Sequence, residues 1–473
     1  MKTRILFVHL LLFSVAIVAS AGDPNIRGSA MARTAVATSR SIEAFGINPA
    51  NLAIPDRGFL AFGLAPTSFR VSTELFSYDI YKNYFTGVPG PNGERTAKYL
   101  TDDDKNTIMS ILPDLAQTRF EIETTPISLW LQLGKIGTLG FAVTEHFGFI
   151  PTLNKDFFRV VMFGLPEETI LYNFDGTGFS AWLYQEYNFS YAREIPLSLW
   201  VFKDLYAGFS VKLIQGYGVL ETPLYKSSFG TTLTPALDPA RGSTYPKLVG
   251  NFNFLLRRSG IDLFDESKKS SSDGLPEPAG TGTGIDFGLS SELDYGIRVA
   301  ASVTDIGKID WTKNIVETSG RGSVGIDNPF NTSGTDSLKD AIKGEEHPGQ
   351  PFSTDLPTRI RVGVSMQSEL VPFLKWFPGK VLLAADYTQG LNESMGNTTK
   401  PRVSLGAEWR IIPLLPLRTG FAFGGGDVPR WAFGFGLDVW VLALDVSVEN
   451  FGMLFSPEKF QMFQLGAGLR IRI

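Results

Sequence analysis

The closing stretch QMFQLGAGLRIRI, residues 461–473, decides how this chain is read. Phe463, Leu465, Ala467, Leu469, Ile471 and Ile473 share one parity, while Gln464, Gly466, Gly468, Arg470 and Arg472 take the other. Successive side chains of a strand point to opposite faces, so one face meets an apolar medium and the other meets water. The alternation repeats upstream. Ile360, Val362 and Val364 oppose Arg359, Arg361 and Ser365; Val381, Leu383, Ala385 and Tyr387 oppose Leu382, Ala384, Asp386 and Thr388. Val403, Leu405, Ala407 and Trp409 oppose Arg402, Ser404, Glu408 and Arg410. A protein core and a lipid bilayer could each supply the apolar medium.

The N-terminus points to export. Lys2 and Arg4 precede the apolar stretch Ile5–Val18, and Ala19-Ser20-Ala21 offers a small-residue cleavage site, so residues 1–21 are expected to be a signal peptide. Beyond them the chain carries 41 basic and 48 acidic residues, a formal charge of −7, which gives no electrostatic reason to bind nucleic acid. With no Cys there is no disulfide scaffold, thiolate chemistry or lipoprotein anchor. No further apolar run reaches the about 18 residues of a transmembrane helix. Short alternating segments, 49 Gly and 12% aromatic residues suit a barrel or a large sandwich.

Residues 22–57 are not strand-like. Gly28–Ala37 is small and Ala-rich, and Asn48-Pro49 marks a turn because Pro disfavours a helical residue before it. From Gly58 onward fifteen candidate strands follow. Short connections at 134–135, 195–196, 294–295, 371–377, 412–413 and near Trp440 alternate with longer, polar ones. The longer ones fall near 71–118, 150–177, 217–281, 307–356, 390–400, 425–429 and 450–460. If the segment 244–258 is an excursion inside one long loop, the alternation is strict and fourteen strands remain. Short turns at one end, long loops at the other and an even strand count describe an outer-membrane barrel. The expected fold is therefore all-β: residues 58–473 form a membrane-spanning antiparallel up-and-down β-barrel of about 14 strands, with 22–57 as an N-terminal hatch segment. The expected location is the bacterial outer membrane, with the lipid bilayer as partner.

The wet parity collects charge of both signs: Asp286, Arg298, Arg359, Arg361, Asp386, Arg402, Glu408, Arg410, Arg418, Asp438, Asp445 and Glu449. A barrel would enclose these side chains, where pairing is expected because an unpaired buried charge is costly. They build either a network of ion pairs that stiffens the wall or a polar permeation path. Trp130, Trp182, Trp200, Trp311, Trp376, Trp409, Trp431 and Trp440 fit interfacial girdles, with strand packing as the alternative. No catalytic, metal or cofactor site is expected. His146 and His347 lie far apart, Gly282–Gly288 has no following Lys-Ser/Thr, and neither Asp102–Asp104 nor Asp262–Glu266 has EF-hand spacing.

Three pieces carry a likeness to a known group. They are Gly28–Ala37 running into Asn48-Pro49-Ala50-Asn51-Leu52, Gly282–Gly288 followed by Arg298–Gly307 and Trp311, and Leu405–Trp409 followed by Pro416–Phe421. In this order they resemble the superfamily of FadL-type transporters and PorV-like barrels, and more closely an uncharacterised outer-membrane branch of it. The resemblance implies a fourteen-stranded barrel whose N-terminal segment folds inward, with Asn48, Pro49 and Ala50 at the hatch signature. It also implies a channel or transporter for small hydrophobic molecules. The alternative is a PorV-like docking partner of secretion-machinery proteins without transport of its own; co-purified lipid or a stoichiometric protein partner would separate the two.

Overall fold

The computed structural model describes residues 25–473 apart from 76, 91–93, 166–167, 198–201, 236–243, 261–276, 327–342, 373–375 and 451–460. The expected signal peptide, Trp200 and Asp262–Glu266 lie outside the described residues. Among the described residues no helix is long and apolar enough to cross a membrane.

Fourteen antiparallel strands close into a barrel. They are β1 (Leu60–Thr73), β2 (Leu115–Gln132), β3 (Thr138–Asn154), β4 (Gly178–Ile195), β5 (Asp204–Pro235), β6 (Gly280–Glu292) and β7 (Ile297–Trp311). The second half comprises β8 (Arg359–Gln367), β9 (Lys380–Gly390), β10 (Arg402–Arg410), β11 (Pro416–Gly424), β12 (Asp427–Val439), β13 (Leu442–Glu449) and β14 (Met462–Arg472). Each barrel strand pairs with the next, and β1 pairs with β14 from Ala61↔Arg472 to Ser72↔Met462, which removes both sheet edges. The segment Thr244–Gly260 stands outside the barrel wall. It pairs with the far half of β5, from Gly218↔Gly260 to Pro235↔Thr244, and on its other side with Val316–Ile326. It thus belongs to an extension of the sheet beyond the barrel, as the alternation of connection lengths predicts.

The parities separate as lipid and lumen require. Phe209, Val211, Leu213, Phe287, Leu289, Leu405 and Phe421 are each between 41% and 53% exposed, whereas Lys212, Asp286, Ser290 and Arg418 on the same strands are at most 3% exposed. A continuous exposed apolar surface over many strands is lipid-facing wall.

Two expectations need correction. The connection expected at 425–429 is a tight turn, because Gly424, Gly425 and Gly426 have φ of +82°, +72° and +77° and join β11 to β12 directly. Trp130, Trp182 and Trp311 are not girdle residues. They lie on the inward parity, and the Trp130 indole donates to the carbonyl of Leu52 (2.8 Å) while that of Trp311 donates to Thr354 Oγ1 (3.0 Å). Trp376, Trp431 and Trp440 are the exposed ones.

Residues 25–57 fill the turn end of the lumen, with the helical turns Ile26–Ser29, Ser41–Ala44 and Pro49–Ala53 and most residues buried. The wall makes room with glycine. A Cβ at Gly208 would lie 2.5 Å from the Pro49 carbonyl carbon, one at Gly288 1.9 Å from Asn48 Oδ1, and one at Gly420 2.3 Å from the Met31 carbonyl carbon. Gly63, Gly140, Gly363, Gly406, Gly434 and Gly466 press on the segment similarly, with Ile42, Phe45, Val36, Met31, Ala30 and Ile26 respectively. These positions form an inner belt of small residues, continued by pairings such as Gly288↔Ser302, Gly406↔Gly420 and Gly434↔Ser447↔Gly466.

Candidate functional site

Small wall residues let the segment approach, and charged ones tie it down. Asp386 Oδ2 accepts the backbone N–H groups of Ala35 (2.6 Å) and Val36 (2.8 Å). Arg27 pairs with Glu408 (2.8 Å) and Glu43 (3.2 Å), Arg33 with Glu449 (2.9 Å), and Glu43 with Arg470 (2.7 Å). Burial pushes the Glu43 carboxyl up, but Arg470 and Arg27 outweigh it and hold it down at about 2. For Arg27, burial is likewise outweighed by Glu408 and Glu43, which hold it charged. Asn48 caps its own turn by accepting from Ala50 N (3.1 Å) and donates to the Leu289 carbonyl (3.1 Å). Pro49 and Ala50 therefore lie where the backbone meets Gly208 and Gly288.

The charged residues of the wet parity find their partners in different ways. Glu408, Arg410, Arg418, Asp438 and Asp445 form one network: Arg418 bridges Glu408 and Asp445 (both 2.7 Å), and Arg410 bridges Glu408 (2.9 Å) and Asp438 (3.0 Å). Asp286 pairs with Lys212 (3.2 Å), which also meets Glu186 and Asp305, while Arg298 pairs with Glu292 (3.0 Å). Glu449 is shared by Arg33 and Arg430. Arg359 and Arg402 form no ion pair among the described residues and bond to the neutral groups Asn397 Oδ1 (2.9 Å) and Thr388 Oγ1 (3.5 Å), while Arg361 donates to Thr304 Oγ1 (2.6 Å). Lys212, Glu186, Arg70 and Asp427 were missed at the level of sequence. Lys212 was legible, since it alternates with the apolar Val211 and Leu213. The segment's own Arg27, Arg33 and Glu43 gave no such signal.

Above the segment lies a cavity of ≈ 220 Å³. Its floor includes Arg33, Val36 and Glu43, and its walls include Arg70, His146, Trp182, Lys212, Arg359, Arg361 and Arg402. The connection 391–400 roofs it. Met395 packs into an apolar cluster with Trp182, Ile309 and Trp311, the Gly396 carbonyl accepts from Arg119 (2.8 Å), and Asn397 donates to the Thr358 carbonyl (2.9 Å).

One sector of the wall is off register. Ala65 and Pro66 of β1 pair with neither neighbour, since pairing jumps between Leu64 and Thr67 against both β14 and β2. On β2 the same break falls between Thr124 and Ile127 against β3. Pro66 and Pro126 have no N–H to give the ladder, so two adjacent strands lose wall hydrogen bonds at one height. Pro66, Thr125, Thr144 and Leu469 of this sector line the cavity.

The chain is similar to several solved barrels. They include the toluene transporter TbuX of Ralstonia pickettii (14% identity, covering 96% of this chain and 99% of that one, TM-score 0.47). The toluene transporter TodX of Pseudomonas putida (10%, 95% and 97%, TM-score 0.42) and a FadL homologue of Pseudomonas aeruginosa (10%, 96% and 97%, TM-score 0.43) are others. No curated protein matches the chain. Over residues 49–445, which is most of the barrel and the end of the segment inside it, the chain matches a family of unknown function (DUF5723), and to that family it belongs.

Proposed function

We propose that the protein is an outer-membrane channel for small hydrophobic compounds, with residues 25–57 as the hatch that closes its turn end. One observation carries this. The cavity above the segment extends to the off-register sector of β1, β2 and β3, where pairing between lumen and lipid is interrupted on adjacent strands at one height. A compound entering from the loop end could leave sideways into the bilayer there without displacing the hatch.

The test is uptake of a hydrophobic fluorophore by vesicles containing the purified protein. Restoring ladder donors with Pro66→Val and Pro126→Val should slow uptake while the barrel still folds. Deleting residues 25–57 should raise passive permeability to small polar solutes. Unchanged uptake in the first variant and unchanged permeability in the second would together sink the proposal.

A further inference from the structure

The charge inventory of the cavity is lopsided in a way that hydrophobic transport does not explain. Its lining includes ten arginines and lysines but seven carboxylates. The carboxylates are taken: Glu43 by Arg27 and Arg470, Glu121 and Asp427 by Arg70, Glu123 by His146, Glu186 and Asp305 by Lys212, and Asp445 by Arg418.

Arg359 and Arg402 form no ion pair among the described residues. Arg402 has its Nε buried without a hydrogen-bond partner, and among the described residues its guanidinium donates only to Thr388 Oγ1, at a long 3.5 Å. Asp386, two residues below Thr388 on β9, uses Oδ2 for the segment's amides and forms no ion pair among the described residues.

Strand register brings these cations together. Arg361 pairs across to Thr388 and Thr388 to Arg402, so the two arginines stand in one row, about 10 Å apart at two strand spacings. Arg359 is one inward step from Arg361 on the same strand. A buried guanidinium that forms no ion pair, as at Arg359 and Arg402, is costly, and its planar fork matches the oxygens of a carboxylate or phosphate.

We infer that the chamber between the 391–400 connection and the N-terminal segment is a binding site for a small hydrophilic dianion of the phosphate or dicarboxylate type, held by Arg359, Arg361 and Arg402. This goes beyond a hydrophobic route and does not depend on it. Such a ligand would cross-link the wall at β8 and β10 and lie against Arg33 of the floor, so its occupancy bears on whether the segment stays seated.

Calorimetric titration of the detergent-solubilised full-length protein tests the site, using inorganic phosphate and succinate, with hexanol as the uncharged control. Saturable binding of phosphate or succinate is expected, weakened at least tenfold by Arg402→Gln and less by Arg402→Lys. Trp182 lines the chamber, so its fluorescence offers a second readout. Arg402 is chosen because it supports no ion pair among the described residues, and heat-dependent gel mobility checks that each variant is a folded barrel. Absence of saturable binding to both anions, or binding that Arg402→Gln leaves unchanged, would overturn the inference. Loss of fluorophore uptake in vesicles with anion binding intact would remove the hydrophobic route and leave this site standing.

Discussion

Asp386 joins two parts of the molecule more than 300 residues apart in sequence through a single carboxylate oxygen. Asp386→Ala would leave the Ala35 and Val36 amides without an acceptor, and hydrogen bonds to a charged group are worth about 1.5–3 kcal/mol. The expected result is faster amide exchange at residues 34–38 with little change in the barrel strands. Glu43 makes a pH-dependent tie. Its pKa in the folded protein, about 2, is below its ordinary value of 4.5, so its stabilising contribution is full above pH 4.5 and is lost as pH falls through about 2. Limited proteolysis of residues 25–57 should therefore be equally slow at pH 7 and pH 5 and accelerate only in strong acid; acceleration already at pH 5 would contradict this. Period-two alternation marks Asp286, Arg418 and Asp445, and all three side chains are buried. Their partners were not legible. Arg27 and Glu408 are 381 positions apart, and only closure of the barrel brings them together.

At the scale of elements, the strands were legible because a half-buried strand repeats every two residues whatever its neighbours are. The loop pattern was less so: the Gly424–Gly426 run reads as a flexible loop, yet three successive positive φ values make it a tight turn. The role of the inner glycines was not legible, since a strand glycine can mark a bulge, a bend or a close approach. Gly208 and Gly288 are contact points, and what touches them lies more than 150 residues away along the chain. Gly288→Leu should thus dislodge the Asn48 turn while leaving β6 paired to β5 and β7. Hydrogen exchange would show protection lost around residues 47–53 and kept at 285–291; the reverse pattern would mean that Gly288 serves the wall.

For the whole molecule, the exposed apolar parity sets the solvent. Leu405 is mid-strand on β10 and half exposed, so Leu405→Arg should destabilise the barrel in phospholipid bilayers by about 2–4 kcal/mol. Guanidinium titration in lipid vesicles measures this, and a neutral substitution would place Leu405 away from the hydrocarbon.

The glycine belt also bears on how the chain is assembled. The segment touches the wall at glycines around the inner circumference, and the seam between β1 and β14 has Gly63 against Ile42 on one side and Gly466 against Ile26 on the other. A closed wall leaves little clearance for a segment to be threaded in afterwards. Residues 25–57 are then a mandrel: the last strand is laid down around a filled bore rather than an empty one. Chains lacking them should insert into vesicles with a slower final step, seen as delayed protection of the β1–β14 amides, even where the finished wall is the same.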